Sequence, residues 1–288
     1  MRSVERERAF HPFDMFIHEG GRLGRQQPIA RAANDLTMSI QRHSNDLPLP
    51  LPTLLDGASL FVDFDGTLVE LAERPDAVRV DDALRALVTG LHERFAGRFA
   101  IISGRSIAQL ETLLGPVSRA IALTGSHGCE HRGQGVSARS VPSPELGAVA
   151  DRMKAFSDRH PGTMVEEKSF GVALHYRLAP MAEAEARTLG EELAAQFGLC
   201  LQQGKMVVEV RPIGEDKGTA IRRWMSRAPM RGTRPVFLGD DITDEAAFAA
   251  VRDLDGAGIL VGAPRPTAAT YRLASPAAAR AWLGEALR

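Results

Sequence analysis

Only two cysteines occur in 288 residues, Cys129 and Cys200, too few for a disulfide framework. A reducing cytoplasm is therefore the expected compartment. No window approaches the roughly 18 consecutive apolar residues of a bilayer span, so no membrane partner is expected. An excess of charge is missing as well. The 35 basic and 36 acidic side chains leave a formal net charge of −1. Binding to nucleic acid or to an anionic lipid surface needs a local surplus of Lys and Arg, so neither partner is expected. What is present is ordinary globular composition, with 44% hydrophobic and 25% charged residues. At this length one core is close to the size at which chains divide, so a large domain with a smaller partner is in range.

The first fifty residues carry seven Arg, no Lys and six acids, without a sustained hydrophobic period. Asp46-Leu47-Pro48-Leu49-Pro50-Leu51-Pro52 follows as an extended stretch, because each Pro pushes its predecessor out of the helical region. The apolar segment of a secretory signal is missing, and the acids argue against a transit peptide. Residues 1–53 are read as a loosely ordered extension, on which Phe10, Phe13 and Phe16 are candidate docking side chains.

From Leu54 onward, short apolar runs recur at Leu60-Phe61-Val62, Phe99-Ala100-Ile101-Ile102, Ile121-Ala122-Leu123, Val236-Phe237-Leu238 and Ile259-Leu260-Val261. Each is apolar on both parities and closed by Gly or a small polar residue, the pattern of buried parallel strands. Amphipathic helices lie between them, one with Leu84, Leu87, Val88, Leu91 and Phe95 on its stripe. Alternating strand and helix predicts a doubly wound, Rossmann-like α/β core with its chemistry at the carboxyl ends of the strands. The rhythm breaks between about 130 and 212. There, Val172, Leu174 and Tyr176 alternate with Ala173, His175 and Arg177, and Val208 and Val210 alternate with Val207, Glu209 and Arg211. Such alternation belongs to a sheet with one open face. The organisation expected is a core of residues 54–129 and 213–288, interrupted by an α+β insertion over 130–212.

Four polar signals sit at the ends of core strands or open the adjacent helices. Asp63-Phe64-Asp65-Gly66-Thr67 places two carboxylates two residues apart, straight after a buried strand. Ser103-Gly104-Arg105 offers a hydroxyl and free N–H groups at a helix start, suited to a phosphate oxygen. Asp216-Lys217-Gly218 opens another helix, and Gly239-Asp240-Asp241-Ile242-Thr243-Asp244-Glu245 follows another strand. Acids gathered in this way at one sheet edge repel one another without a cation. All-oxygen donors with no Cys or His cluster favour Mg²⁺ over zinc.

The order Asp-x-Asp-Gly-Thr, Ser, Lys, Gly-Asp-Asp-x-x-Asp resembles the haloacid dehalogenase superfamily over about residues 57–288. Asp65 and Ser103 are too close in sequence for a cap between them, whereas the interval from Ser103 to Lys217 holds the α+β insertion, which becomes the cap domain. The resemblance implies that Asp63 is the nucleophile and forms an aspartyl phosphate, and that Asp65 is the general acid and base. It implies Mg²⁺ held by Asp63, the backbone carbonyl of Asp65, and Asp240. Asp241 and Asp244 would stand behind the metal, while Ser103 and Lys217 would bind the phosphoryl oxygens.

The cap strings narrow this further. Gly125-Ser126-His127-Gly128-Cys129-Glu130, Glu166-Glu167-Lys168 through Arg177, and Gly204-Lys205 through Pro212 are similar to those of trehalose-6-phosphate phosphatases. The resemblance implies hydrolysis of trehalose 6-phosphate and a functional link to a trehalose-phosphate synthase. Arg105, Ser126, His127, Lys168, His175, Arg177, Glu209 and Arg211 are the candidate substrate-binding residues. Lys168, His175 and Glu209 are the principal sugar contacts among them. Charged groups on a concave sheet suit a disaccharide, whose hydroxyls both donate and accept. Two further readings remain open at this point. One is another capped phosphatase, acting on sucrose 6-phosphate or a glycosyl-glycerate phosphate. The other is a silent partner of the synthase.

Overall fold

The computed structural model describes residues 47–72 and 77–288, so Phe10, Phe13 and Phe16 lie outside the described residues. The chain enters the core with β1 (Ser59–Val62), α1 (Asp82–Phe95), β2 (Phe99–Ile102), α2 (Ile107–Leu114) and β3 (Ala122–Gly125). A hairpin of β4 (Glu130–Gly133) and β5 (Val136–Arg139) follows. The insertion then runs through α3 (Leu146–Ser157), β6 (Met164–Lys168), β7 (Gly171–His175), α4 (Glu183–Phe197), β8 (Cys200–Gly204) and β9 (Val207–Arg211). The chain returns with α5 (Lys217–Met225), β10 (Pro235–Gly239), α6 (Glu245–Asp253), β11 (Ala257–Val261), β12 (Tyr271–Leu273) and α7 (Pro276–Glu285).

The main sheet has the order β12-β11-β10-β1-β2-β3-β4-β5. Its strands are parallel from β12 to β3, and β4 and β5 are antiparallel additions. Successive strand residues face opposite sides. Leu60 and Val62 pack with α1, α2 and α7, while Phe61 and Phe237 pack with α5 and α6. Helices therefore cover both faces, which is why the parallel strands read as unbroken apolar runs. The insertion forms a second sheet, β6-β7-β9-β8, entirely antiparallel. One face buries Val172, Leu174, Val208 and Val210 against α3 and α4, as their alternation predicts.

Two boundaries depart from the sequence reading. Residues 130–139, assigned there to the insertion, extend the core sheet instead, because β4 pairs directly with β3. The reversal between β4 and β5 uses Gln134 at φ 53° and Gly135 at φ 72°, the left-handed pair that a tight hairpin requires. At the other end, residues 47–53 are not a loose extension. The Pro48 carbonyl accepts from the Arg272 N–H at 3.1 Å, and Pro50 is buried. Among the described residues no helix is long and apolar enough to cross a membrane.

Candidate active site

All four core signals converge at the carboxyl ends of the parallel strands. Asp63 follows β1, and its N–H donates to the Leu238 carbonyl of β10 at 2.9 Å. Lys217 is the first residue of α5, where the Asp216 side chain caps the helix by accepting from the Thr219 N–H. That cap aims the Lys217 ammonium between Asp63 Oδ1 at 2.8 Å and Asp244 Oδ1 at 2.6 Å. All three side chains are buried. Burial works against the Lys217 charge, but Asp244 and Asp63 outweigh it and raise its pKa far above the ordinary value. The second oxygen of Asp244 accepts from the N–H groups of Asp240 and Asp241 at 2.9 and 3.0 Å. Asp244 is thus the post on which both the lysine and the loop after β10 are fixed.

Carboxylate oxygens of Asp63, Asp240 and Asp244 lie within 4.8 Å of one another and could hold a metal ion. Asp244 is already spent on Lys217 and two amides, so Asp63 and Asp240 have the lone pairs to spare. Burial and the neighbouring Asp244 push Asp240 up to about 7. Burial also pushes Asp63 up, opposed by Lys217 and reinforced by Asp244 and Asp240. Crowded, desolvated carboxylates of this kind fit a hard divalent cation. The Asp241 carboxylate turns back to its own helix start, accepting from the Ile242 N–H at 2.7 Å.

Asp65 lies beside this cluster and is gripped by Arg105 in a two-pronged ion pair, Nε to Oδ2 and Nη2 to Oδ1, both 2.7 Å. Arg105, expected on the substrate, therefore holds the second aspartate of the motif. The buried Ser103 hydroxyl accepts from the Arg105 N–H at 3.1 Å.

The turn after β3 carries the chain toward the insertion. Ser126 and His127 sit at φ 50° and 55°, consecutive left-handed residues that are not glycine, each costing on the order of 1–3 kcal/mol. Gly128 follows at φ 116°, and a Cβ there would lie 2.8 Å from the Asp216 carbonyl oxygen. This core turn thus packs on the linker that returns from the cap, directly before Lys217. Ser126, expected to touch substrate, does not line the cavity. Its hydroxyl donates to Glu130 at 3.0 Å. The His127 ring does line it, and burial lowers its pKa to about 3, so the ring is neutral.

Over the acids hangs the open face of the second sheet. Its register sets Glu166, Ala173, Glu209 and Gln202 in one row across the four strands, with Met164, His175, Val207 and Gly204 in the next. Ala173, being small, leaves room for the charges on either side. Lys168 Nζ meets Glu209 Oε2 at 2.5 Å, and His175 Nε2 lies 2.9 Å from Glu166 Oε2. Burial opposes the ionisation of Glu209, yet Lys168 holds it down at about 2. Burial likewise opposes the Lys168 charge, which Glu209 and Glu166 more than restore. The cap and core faces enclose a cavity of about 280 Å³ that reaches from Asp63, Asp240 and Lys217 to Lys168, His175 and Glu209.

Two expected sugar contacts behave otherwise. Arg177 lines the cavity but donates to the backbone carbonyls of Ala72 and Lys205, bracing the cap against the core. Arg211 does not line it. Its side chain is buried beside Glu209 on the same strand face, with Nε and Nη1 lacking a hydrogen-bond partner among the described residues. Glu166 and Gln202 line the cavity without having been singled out from the sequence. Glu166 was legible, standing two residues before Lys168 on one strand face. Gln202 carried no signal. The thiol of Cys129 is pushed up to about 11 by burial, which keeps it protonated and unreactive.

Comparison with known proteins gives one answer. The family model described as trehalose-phosphatase matches residues 61–277. The trehalose-6-phosphate phosphatase of Escherichia coli is 38% identical over 235 residues, covering 81% of this chain and 87% of that protein. A probable trehalose-phosphate phosphatase of Sinorhizobium fredii is 37% identical over 219 residues, covering 75% and 82%. A solved structure of a trehalose-6-phosphate phosphatase related protein superposes with a TM-score of 0.66 at 30% identity, covering 79% of this chain and 96% of that one. The match begins in the strand that ends at Asp63, takes in the whole cap and ends in the last helix, so this chain belongs to the trehalose-phosphatase family of haloacid dehalogenase-like enzymes.

Proposed function

We propose that the protein hydrolyses trehalose 6-phosphate to trehalose and phosphate. One observation carries the reading: a single cavity joins the buried Asp63–Lys217–Asp244 group to the Lys168–Glu209 pair on the cap. A phosphate monoester seated on the core places its sugar against that pair. The Asp63 carboxylate attacks phosphorus while the bond to the sugar oxygen breaks, leaving an aspartyl phosphate. Asp65, once Arg105 releases it, gives a proton to the departing oxygen and later takes one from the water that cleaves the acyl phosphate. Lys217 and the Ser103 hydroxyl meet the phosphoryl oxygens, and Lys217 offsets their charge. Mg²⁺ is the cation that fits the acids, with Asp63, the Asp65 carbonyl and Asp240 to hold it. When bound it would neutralise charge on the phosphoryl group. A trehalose-phosphate synthase, which makes this substrate, is the functional partner expected, and the two unbridged cysteines suit a reducing cytoplasm.

The test is phosphate release from a panel of sugar phosphates, with and without a chelator. Trehalose 6-phosphate should be turned over fastest and chelation should abolish turnover. Equal rates across the panel, or activity that persists without metal, would overturn the assignment.

A further inference from the structure

The strained turn at 126–127 belongs to neither sheet, yet it touches both halves of the site. The His127 N–H donates to the Ser103 carbonyl at 3.0 Å, and the Ser126 N–H donates to the Arg105 carbonyl at 2.8 Å. These bonds stitch the turn to the loop that receives the phosphoryl group. The His127 ring lies over Gly104, where a Cβ would come within 2.5 Å of Nε2 and displace the ring. From the cap side, the Gln202 amide nitrogen stands 3.1 and 3.2 Å from the two ring nitrogens. Gln202 is the direct cross-strand neighbour of Glu209, whose Oε2 is itself 3.7 Å from His127 Nε2. Backbone strain held at such a junction is a mark of function rather than of packing.

We propose that His127 and Gln202 form a positioning pair that ties engagement of the sugar at Glu209 to the placement of the Ser103 loop, and so help determine specificity. The inference rests on the trehalose 6-phosphate reading. A sugar that fills the cap face sets Glu209 and its neighbour Gln202. Gln202 sets the ring, and the ring's own backbone sets Ser103. A phosphate ester too small to reach the cap leaves this link idle.

The test compares kcat/KM for trehalose 6-phosphate with that for phenyl phosphate in wild type, His127→Asn, Gln202→Leu and the double variant. Asn tolerates the left-handed backbone, so His127→Asn removes the ring's reach without new strain. Each single variant should lower the ratio of the two values by about tenfold or more, chiefly through kcat. The double variant should be no worse than the poorer single, because both break one link. Losses that multiply, or a loss confined to KM, would make the residues independent sugar contacts and overturn the pair. If His127→Asn does not fold, an unchanged ratio in Gln202→Leu overturns it alone. A wild-type enzyme without preference for the disaccharide ester would instead remove the functional reading on which the pair depends.

Discussion

Lysine occurs at four positions in this chain, Lys154, Lys168, Lys205 and Lys217, while arginine supplies nearly all other cations. One of the four, Lys217, is buried where a compact ammonium is needed. One ammonium nitrogen meets both Asp63 and Asp244, whereas a guanidinium is longer and spreads its donors over a plane, so it would not reproduce that seat. Lys217→Arg should therefore cost about 10²-fold or more in kcat although charge is conserved, as steady-state rates would show. Lys217→Ala strands two buried acids and should lose roughly 3–5 kcal/mol in a denaturant titration. Asp63→Asn should reduce turnover by at least about a thousandfold while the ester still binds, visible as retained affinity in calorimetry. Asp240 gives a pH signature. With its pKa near 7 before metal enters, it must lose a proton to become a ligand. Half-saturating Mg²⁺ should therefore rise as pH falls below 7, by up to about tenfold per unit. His131 gives another. Burial, with Arg223 and Arg227 nearby, lowers its pKa from 6.5 to about 4. The unfolded chain then takes up that proton first, so up to about 3 kcal/mol of stability is lost between pH 6.5 and 4 and none above. His131→Gln should make that limb shallower, leaving the share that His127 contributes through the same window.

At the scale of elements, what was legible was what packs. The apolar strands and the stripe of α1 appear where periodicity puts them, because their side chains answer only to burial. Strands β6 and β8 were not legible. Their sequences, Met-Val-Glu-Glu-Lys and Cys-Leu-Gln-Gln-Gly, give up apolar alternation to line the cavity. The hairpin β4–β5 misled for another reason. Short antiparallel strands look alike whichever sheet they join, and pairing with β3 is a long-range decision. Function also sits in a cap. Asp216→Ala should cost about 1 kcal/mol of stability through the lost N-cap of α5, and more activity than stability, because that cap aims Lys217. Thermal melts and rates on one preparation would show whether the two losses part.

Across the whole molecule, charge is segregated by layer in a way that a net charge of −1 conceals. The core presents acids gathered at Asp63, Asp240 and Asp244, and the cap presents a balanced set of Lys168 and Arg211 with Glu166 and Glu209. Most of the core motif was readable because its residues are close in sequence and end strands. The cap contacts were readable as types but not as roles. Only the folded structure shows that Arg177 braces the backbone, that Arg211 is buried beside Glu209 away from the cavity and that Ser126 serves Glu130. Glu209→Gln removes the carboxylate that Lys168 contacts directly. It should lower the ratio of disaccharide ester to small ester by about tenfold or more, read from kcat/KM on both.

The linker that returns from the cap packs at Asp216 on the core turn at Gly128. A swing of the cap about that linker would pivot beside this contact, and Lys217 is the very next residue. A group so close to the pivot would have a short lever arm, so the lysine would keep its seat on Asp63 while the exposed rim at Met164 and Leu178 moves farther. Substrate entry and product escape can thus be generous without unsettling the charge balance that the chemistry depends on.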